Sequence, residues 1–463
     1  MKNRYIYVLL VVYVVTALLT IIFFDGTGDA GDSIHHYQFA RYAPLHIELF
    51  FDHWAKPFFV LLASPFAQLG FVGIKIFNVI VTFFSLFFTF KVLQKLNVNN
   101  AIVGAIFLMF SPLCFVLTFS GLTEPLFGLF LIMSLYALLE DKGILASILI
   151  SFLPFIRSEG LIFLGVFGFY FLLKKQWKLI PLLLVGHVAY MFAGYFVYKD
   201  LLWVFNKIPY AKLSSTYGSG KLFHFVDQLQ YVIGIPIYIL LGLGILSVIY
   251  KSIQRKVVLE VQVIVFLGFF AFFIAHSLFW YLGIFNSMGL NRVFIGVAPF
   301  MAIIAVYGYN LITEELTKNK KPIRIALQSI ILLLVLIFPF TSNPSAIDWK
   351  RDLSLSQDQK SAVLVAEFLE DYKSDEQKYF LTHPYLCEAL DIDYFDKTIN
   401  ENLINYKWSM KPGDLLIWDA WFSVVENGVQ KEELDNTEDL EKLYDHSVTD
   451  GHRTIHYAVY LKK

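Results

Sequence analysis

The chain has 463 residues, of which 57% are apolar and 16% charged, and its formal net charge is −1. A soluble globular protein of this length does not need so much apolar surface, whereas a polytopic membrane protein does. The near-neutral charge gives no indication of nucleic acid as a partner, since nucleic-acid binding needs an excess of basic residues. Cys114 and Cys387 lie far apart and indicate neither a disulfide framework nor a zinc site.

The N-terminus carries basic residues followed by an apolar run long enough to cross a bilayer. Phe23, Phe24 and Asp25 stand where a signal peptide would have small residues, so we expect a retained helix. Similar runs predict 11 spans in total. The predicted spans are 5–24, 72–92, 101–119, 122–139, 143–156, 159–173, 179–198, 229–250, 258–280, 292–311 and 324–341.

Lysine and arginine are concentrated in alternate connections between these spans, and the intervening short loops have almost none. The positive-inside rule places the basic connections in the cytoplasm. The first loop, 25–56, the connections 120–122, 157–159, 199–228 and 281–291, and the C-terminal tail are then expected to face outward. The predicted protein is therefore a multi-pass protein of a cytoplasmic or inner membrane.

Residues 342–463 have fewer apolar residues and more acidic residues and turn formers. AVLVAEFLEDY has a helical period, whereas KYFLTH, DLLIWDAW and TIHYAVYLK resemble short strands. We therefore predict an all-α transmembrane domain over 1–341 and a small extramembrane α/β domain over 342–463.

The first loop reads GTGDAGDSIHHYQFARY and concentrates Asp29, Asp32, His35 and His36 next to a membrane span. A carboxylate there is unfavourable unless it is solvated, paired or used. Helix capping is the simpler interpretation, because Asp32 or Ser33 can accept from free backbone N–H groups. The crowding of further histidines keeps a functional interpretation equally open.

Two outer loops carry acidic residues at predicted helix starts. Thr123 fits an N-cap position, with Glu124 and Pro125 in the first turn, where an acid meets the helix dipole favourably. This spacing does not explain why an ionisable group stands between two spans, so both interpretations stay open. Arg157 and Glu159 are two residues apart and would not pair on one helix.

Arginines occur at two of the outward ends. Arg157 either extends its charged end to the interface or grips a phosphate, for which the guanidinium fork is suited. Arg292 begins the tenth predicted span and is either an interface anchor or a second phosphate contact.

Five stretches together resemble the GT-C superfamily of membrane glycosyltransferases, in particular its mannosyltransferase and aminoarabinose-transferase types. They are GDSIHHYQFARYA, KPFFVLLASPFAQLG, SGLTEPLF, RSEG and NRVFIGVAPFMAIIAVYGYNLI. The resemblance covers residues 1–341 and identifies no known domain in the tail.

The resemblance implies that a sugar moves from a polyprenyl-phosphate carrier to a hydroxyl of a glycan, lipid or protein acceptor. The superfamily often has an Asp-Glu pair in the first loop, where this chain has Asp29 and Asp32, so the matching residue is open between them. Asp32 is preferred as the general base, because it directly precedes the amphipathic helix. The implied substrate-binding residues are His35, His36, Lys56, Glu124, Arg157, Glu159 and Arg292.

No fixed ligand spacing supports a metal site in the His/Asp cluster. A divalent cation, Mg or Mn, nevertheless stays open, because such ions bind through few protein ligands.

Two other functions fit a membrane protein of this composition. A transporter or flippase of a lipid-linked anion would bury charges near the midplane and show two related halves. Here the unusual charges lie by parity at one surface and no halves are visible, which favours surface chemistry. A structural membrane subunit would leave Asp32 free to vary.

Overall fold

The structure, a computed structural model, describes residues 4–27, 29, 31–209, 215, 217–318, 320–341, 349, 353–372, 374, 377–451 and 453–463. The predicted domain boundary at 341/342 adjoins residues 342–348, which lie outside the described residues.

Helices account for most of the chain as far as residue 341. In chain order they are α1 Arg4–Phe23, α2 Asp32–Tyr42, α3 Pro57–Ala67, α4 Phe71–Lys95, α5 Ile102–Met109, α6 Pro112–Leu117, α7 Glu124–Leu139, α8 Gly143–Ser151, α9 Gly160–Leu173, α10 Val185–Tyr198, α11 Trp203–Asn206, α12 His224–Ile233, α13 Ile235–Ile253, α14 Gly268–Leu282, α15 Ala298–Asn310 and α16 Lys321–Ile337. Several are extended by 3₁₀ or π turns, so that one continuous helix covers Asn291–Glu315.

Among the described residues, 7 helices are long and apolar enough to cross a membrane. They are Arg4–Phe23, Phe71–Lys95, Trp177–Tyr198, Ile235–Ile253, Glu260–Leu282, Asn291–Glu315 and Lys321–Phe340. Shorter apolar helices cover Pro57–Ala67, Glu124–Leu139, Gly143–Phe155 and Gly160–Leu173. The protein is therefore an integral multi-pass membrane protein, whereas the count of 11 crossings stays a prediction.

Two predicted spans are interrupted. The apolar run 101–119 forms α5 and α6 rather than one helix, because Pro112 lacks an N–H group and disfavours helical backbone at Ser111. The predicted span 229–250 is divided at Gly234, whose φ of 81° ends α12 before α13 begins.

The described residues of the tail form four α-helices and one sheet. The helices are α17 Gln357–Leu369, α18 Pro384–Ala389, α19 Tyr406–Ser409 and α20 Lys431–Asp435, and the strands are β1 Tyr379–Leu381, β2 Asn400–Asn402, β3 Leu415–Asp419, β4 Leu440–Asp450 and β5 Arg453–Lys462. The 5-stranded sheet has the order β2-β1-β3-β5-β4. Strand β1 is parallel to its neighbours β2 and β3, whereas β5 is antiparallel to its neighbours β3 and β4. The predicted α/β class of the tail is confirmed.

Three strands and the first helix of the tail lie where the sequence predicts them, whereas β2 and β4 were not predicted. Strand β4 is mostly exposed and carries charged residues, so its sequence lacks the apolar alternation that marks a strand. Sequence patterns therefore found the buried centre of the sheet and missed its two edges.

Candidate active site

Asp32 is the first residue of α2, and the N-cap position belongs to Gly31 with no side-chain capping bond. The capping interpretation of Asp32 or Ser33 is therefore wrong. The hydroxyl of Ser33 instead donates to the backbone carbonyl of Asp29, and the Asp32 carboxylate binds Arg292. Asp29 Oδ1 accepts from the backbone N–H of Gly31 at 2.5 Å, which fixes the turn into the helix.

The loop before α7 packs directly against the start of α2. A Cβ on Gly121 would lie 2.3 Å from the carbonyl oxygen of Ser33, so only glycine permits this approach. Thr123 is the N-cap residue and Glu124 the first helical residue, as predicted. The Thr123 hydroxyl makes no cap bond but accepts from Arg157 at 3.2 Å, and the Glu124 side chain is only 1% exposed.

Arg157 lies in the turn before α9 and binds two acids. Its guanidinium is 2.9 Å from Glu124 Oε1 and 2.9 Å from Glu159 Oε1. The spacing of Arg157 and Glu159 excludes a pair within one helix, but these residues lie in a turn, where that rule does not apply. Arg157 thus links two loops that are distant in sequence.

Arg292 joins these loops to the first one. It binds Asp29 and Asp32, and its Nε lies 3.6 Å from Glu124 Oε1. The six residues form one continuous chain of contacts, which we call the ion-pair network: Asp29, Asp32, Arg292, Glu124, Arg157 and Glu159. All lie at or just before the beginning of a helix, where the positive dipole ends and the arginines favour an anion.

His276 extends the network and was missed in the sequence. Its Nε2 lies 3.7 Å from Glu159 Oε1, on the helix Glu260–Leu282. The available signal was a lone histidine inside an apolar span, since an ionisable residue there is a functional candidate by default.

Lys56 lies beside the ion-pair network with a positive φ of 70°, uncommon for a residue other than glycine. Its Nζ donates to the carbonyl of His53 at 3.2 Å and to the Ser158 hydroxyl at 3.4 Å. Among the described residues no carboxylate is paired with it within 4.0 Å. Burial lowers the pKa of Lys56 to about 8, although Glu159 opposes this effect. The lysine is therefore a partly buried cation with no directly bound anion among the described residues.

His35 and His36 share α2 with Asp32 but pack among aromatic rings. His36 stacks on Trp54 with ring centroids 4.9 Å apart, and His35 meets the ring of Tyr394 edge-on at 4.9 Å. Burial lowers the pKa of His35 to about 4 and of His36 to about 3, so both rings are neutral at pH 7. Their direct contact with substrate stays a prediction.

Asp32 is the most accessible acid of the network. Its side chain is 44% exposed, compared with 21% for Asp29 and 17% for Glu159. Burial by itself would raise the pKa of Asp32, but the charge of Arg292 outweighs this and holds the pKa below its ordinary value. The carboxylate is therefore ionised at neutral pH and partly exposed to solvent.

The predicted alternative of a divalent cation meets a poor set of ligands. The described residues contain no group of three His, Cys, Asp or Glu side chains that could hold a metal ion. Asp29 and Asp32 both bind Arg292, which supplies the positive charge that Mg or Mn would bring. This arrangement does not fit such an ion, and no chemical step proposed below uses one.

Known structures with a similar fold are membrane proteins. ArnT from Cupriavidus metallidurans bound to undecaprenyl phosphate aligns with a TM-score of 0.61 and 11% identity over 97% of both chains. AglB from Archaeoglobus fulgidus, in complex with an inhibitory peptide and a dolichol-phosphate, aligns with a TM-score of 0.58 and 10% identity. That alignment covers 91% of this chain and 70% of AglB.

The protein has the GT-C fold. ArnT and AglB both belong to the GT-C superfamily, so the fold expected from the sequence motifs is confirmed. No family model matches the sequence, and no curated protein matches it either. The likeness to the GT-C structures thus lies in the arrangement of the chain, at an identity of 10–12%.

Proposed function

We propose that the protein is a membrane glycosyltransferase that moves a sugar from a polyprenyl-phosphate carrier to an acceptor hydroxyl on the outer face. The observation that carries the proposal is the ion-pair network, in which an accessible aspartate binds one of two partly buried arginines at the beginnings of apolar helices, with Lys56 beside the network. It is supported by a fold shared with ArnT bound to undecaprenyl phosphate and AglB bound to dolichol-phosphate. Residues 1–341 would form the catalytic membrane domain and 342–463 the outer domain.

The donor phosphate would bind between Lys56 and Arg292. The ammonium group of Lys56 has three N–H donors, and two of them have described partners. Arg292 Nε has no hydrogen-bond partner among the described residues. Charge-assisted hydrogen bonds from Lys56 and the Arg292 guanidinium to phosphate oxygens would be strong. Arg157 binds Glu124 and Glu159, and its charge would add to the positive potential at the phosphate.

In this reaction the oxygen of the acceptor hydroxyl attacks the anomeric carbon of the donor sugar, and Asp32 accepts the proton of that hydroxyl. The bond from that carbon to the phosphate oxygen breaks, and its electron pair leaves with the lipid phosphate. The added negative charge on the phosphate is stabilised by Lys56 and Arg292. A single displacement of this kind inverts the anomeric configuration and needs no covalent enzyme intermediate.

Donor binding would also make the Asp32 carboxylate a stronger base. Arg292 now holds the pKa of Asp32 below its ordinary value, which makes the carboxylate a weak base. A phosphate that competes for the same guanidinium would weaken its contact with Asp32 and raise the basicity of the carboxylate. The acceptor would thus be activated only when the donor is in place.

Asp29 is less suited to the role of base. Its Oδ1 accepts from Gly31 and its Oδ2 binds Arg292, so both oxygens have partners. Asp32 is bound to Arg292 through Oδ2 and its side chain is about twice as exposed. Asp29 would therefore hold the loop and Asp32 would accept the proton.

The decisive test is transfer of a labelled sugar from a polyprenyl-phosphate donor by the purified protein. We expect Asp32→Asn to lower the rate by roughly 10²–10⁴-fold, because the general base is lost while the shape is kept. Glu140→Gln is the matched control, since Glu140 pairs with Lys95 at 3.1 Å away from the network and should leave the rate unchanged. Unchanged transfer by Asp32→Asn would remove the base assignment, and movement of lipid without transfer would favour a transporter.

The outward orientation of the site has a separate test. Lys221 and Lys256 are both exposed, and they lie at opposite ends of the helices formed by residues 224–253. The natural cysteines are buried, so a single introduced cysteine would be the reactive one. We expect a membrane-impermeant maleimide to label Lys221→Cys on intact cells and Lys256→Cys only after permeabilisation. The reverse result would place the ion-pair network in the cytoplasm.

A further inference from the structure

Helix α2 packs against the membrane part of the protein on one side and against the tail on the other. On one side, Tyr37 and Ala40 belong to the buried core of the membrane part of the protein. On the other, Ile34 is fully buried in the core of the tail, in a cluster that includes Leu386 and Cys387 of α18. The helix that begins with Asp32 therefore contributes side chains to the cores of both the membrane part and the tail.

Polar contacts connect the same helix to α18. The Tyr37 hydroxyl donates to Glu388 Oε1 at 3.1 Å, and Arg41 donates to the Tyr37 hydroxyl at 2.7 Å and to Glu388 Oε2 at 3.3 Å. Gln38 donates its amide to the carbonyl of Pro384 at 2.8 Å. The Glu388 side chain is 23% exposed, so its charge is paired in a partly buried setting. We call these residues of α2 and α18 the α2–tail interface.

The tail also contacts the loop before Asp32. Gln359 of α17 donates to the Thr27 hydroxyl at 2.7 Å. A Cβ on Gly31 would lie 3.4 Å from the ring of Phe422, which shows how closely the tail approaches the residue before Asp32. Contacts from the tail thus lie on both sides of Asp32 along the chain.

We infer that the tail positions the catalytic helix, and that Glu388 is a positioning residue which orients Asp32 through Tyr37 and Arg41. The inference rests on the proposed function. A helix of 11 residues is marginally stable by itself, so its orientation depends on what packs against it. A displacement of about 1 Å at a reacting group can lower a rate by roughly 100-fold. The tail would therefore complete the active site.

The first test compares two acids that contact the same arginine. Glu388→Gln keeps the shape of the side chain but loses the charge that binds Arg41, and we expect kcat to fall about tenfold with an unchanged KM for the donor. Asp391→Asn is the control, because Asp391 lies 3.4 Å from Arg41 but its side chain is 86% exposed. Its kcat should stay within about twofold of the wild type. Equal kcat values for Glu388→Gln and the wild type would overturn the inference.

A structural readout separates positioning from general damage. Amide hydrogen exchange over α2 should be faster in Glu388→Gln than in the wild type, whereas exchange over α7 should not change. Faster exchange over both helices would indicate a general loss of stability and contradict a positioning role. If Glu388→Gln does not accumulate as folded protein, Gln38→Ala tests the same interface by removing the contact with Pro384.

A double substitution separates failure of this inference from failure of the proposed function. Adding Glu388→Gln to Asp32→Asn should lower the residual rate no further, because the group being positioned is already absent. Absence of transfer by the wild-type protein would reject the proposed function itself, and unchanged transfer by Asp32→Asn would remove the base assignment on which this inference rests. An inactive Asp32→Asn together with additive effects of Glu388→Gln would reject only the positioning role.

Discussion

Each end of the helix Asn291–Glu315 carries a partly buried cluster of polar side chains. With 25 residues the helix is roughly 37 Å long, enough to cross the hydrocarbon core. Arg292 lies at its beginning in the ion-pair network, and Glu314 lies next to its end. Both clusters place charges beside apolar helices, but they differ in how completely their hydrogen-bonding groups are used.

In the cluster around Glu314 the acid accepts hydrogen bonds from three side chains, and we call this cluster closed. Glu314 accepts from Arg324 at 3.0 Å, from Gln328 at 3.0 Å and from Asn100 at 3.2 Å. Asn100 also donates to Asn310, whose own amide donates to the carbonyl of Asn99 at 2.8 Å. One acid thus meets one cation and two amides, and the neutral balance suits a structural joint between helices.

The ion-pair network, by comparison, contains hydrogen-bond donors that have no partner among the described residues, and we call it open. Arg157 and Arg292 each have an Nε without a hydrogen-bond partner among the described residues, and neighbouring Lys56 binds no carboxylate there. Asp32 projects an accessible oxygen atom beside them. A satisfied polar cluster stabilises a fold, whereas one with unused donors retains a capacity to bind. The comparison therefore predicts that the same substitutions at the two ends have different consequences.

The largest difference in kcat/KM is expected between substitutions of Arg292 and of Arg324. Arg292→Gln should lower kcat/KM for the donor by roughly 100-fold, because it removes a phosphate donor and leaves Asp29 and Asp32 without their cation. Arg324→Gln, at the closed end, should change it by less than about twofold. Steady-state rates at several donor concentrations measure both values, and equal effects would remove the functional difference between the clusters.

A smaller effect is expected from pH. Because burial lowers the pKa of Lys56 to about 8, its charge is present below that pH and is lost as the pH rises through it. The kcat/KM for the donor should therefore fall up to tenfold per pH unit above about 8. Lys56→Arg should remove this fall, because arginine stays charged. A flat wild-type profile through this range would show that Lys56 does not hold the phosphate.

The smallest effect on activity is expected at Glu314. Glu314→Gln should leave the transfer rate within about twofold of the wild type, because the residue is a helix length from the proposed site. It should lower the free energy of unfolding by about 1–3 kcal/mol, since Arg324 loses a charged acceptor. Thermal unfolding in detergent measures the change in stability. A loss of transfer without a loss of stability would make the closed cluster functional as well.

The sequence located the charged residues of the site but not their partners. Apolar runs predicted helices on both sides of Glu124, Arg157 and Arg292, and loop parity predicted a common side for them. The pairing of Arg292 with Asp32 joins residues 260 positions apart, and no local pattern encodes it. The contact of His276 with Glu159 likewise depends on the packing of separate helices, although a lone histidine in an apolar run was visible in the sequence.

Local rules also failed where tertiary contacts compete with them. Asp32 and Thr123 occur where capping residues are common, yet Arg292 binds the carboxylate of Asp32 and Arg157 donates to the hydroxyl of Thr123. A charge-assisted bond to an arginine is stronger than a neutral cap bond, so the longer-range partner prevails.

Composition and apolar run length by themselves determined that this is a multi-pass membrane protein with an α/β tail, since both depend on hydrophobicity and its period along the chain. Only the tertiary structure decided that Asp29, Asp32, Glu124, Arg157, Glu159 and Arg292 meet in one network. It also decided that α2 is shared with the tail through Ile34 and Glu388. Contacts between distant segments depend on how the helices pack, and that packing leaves no periodic signal in the sequence.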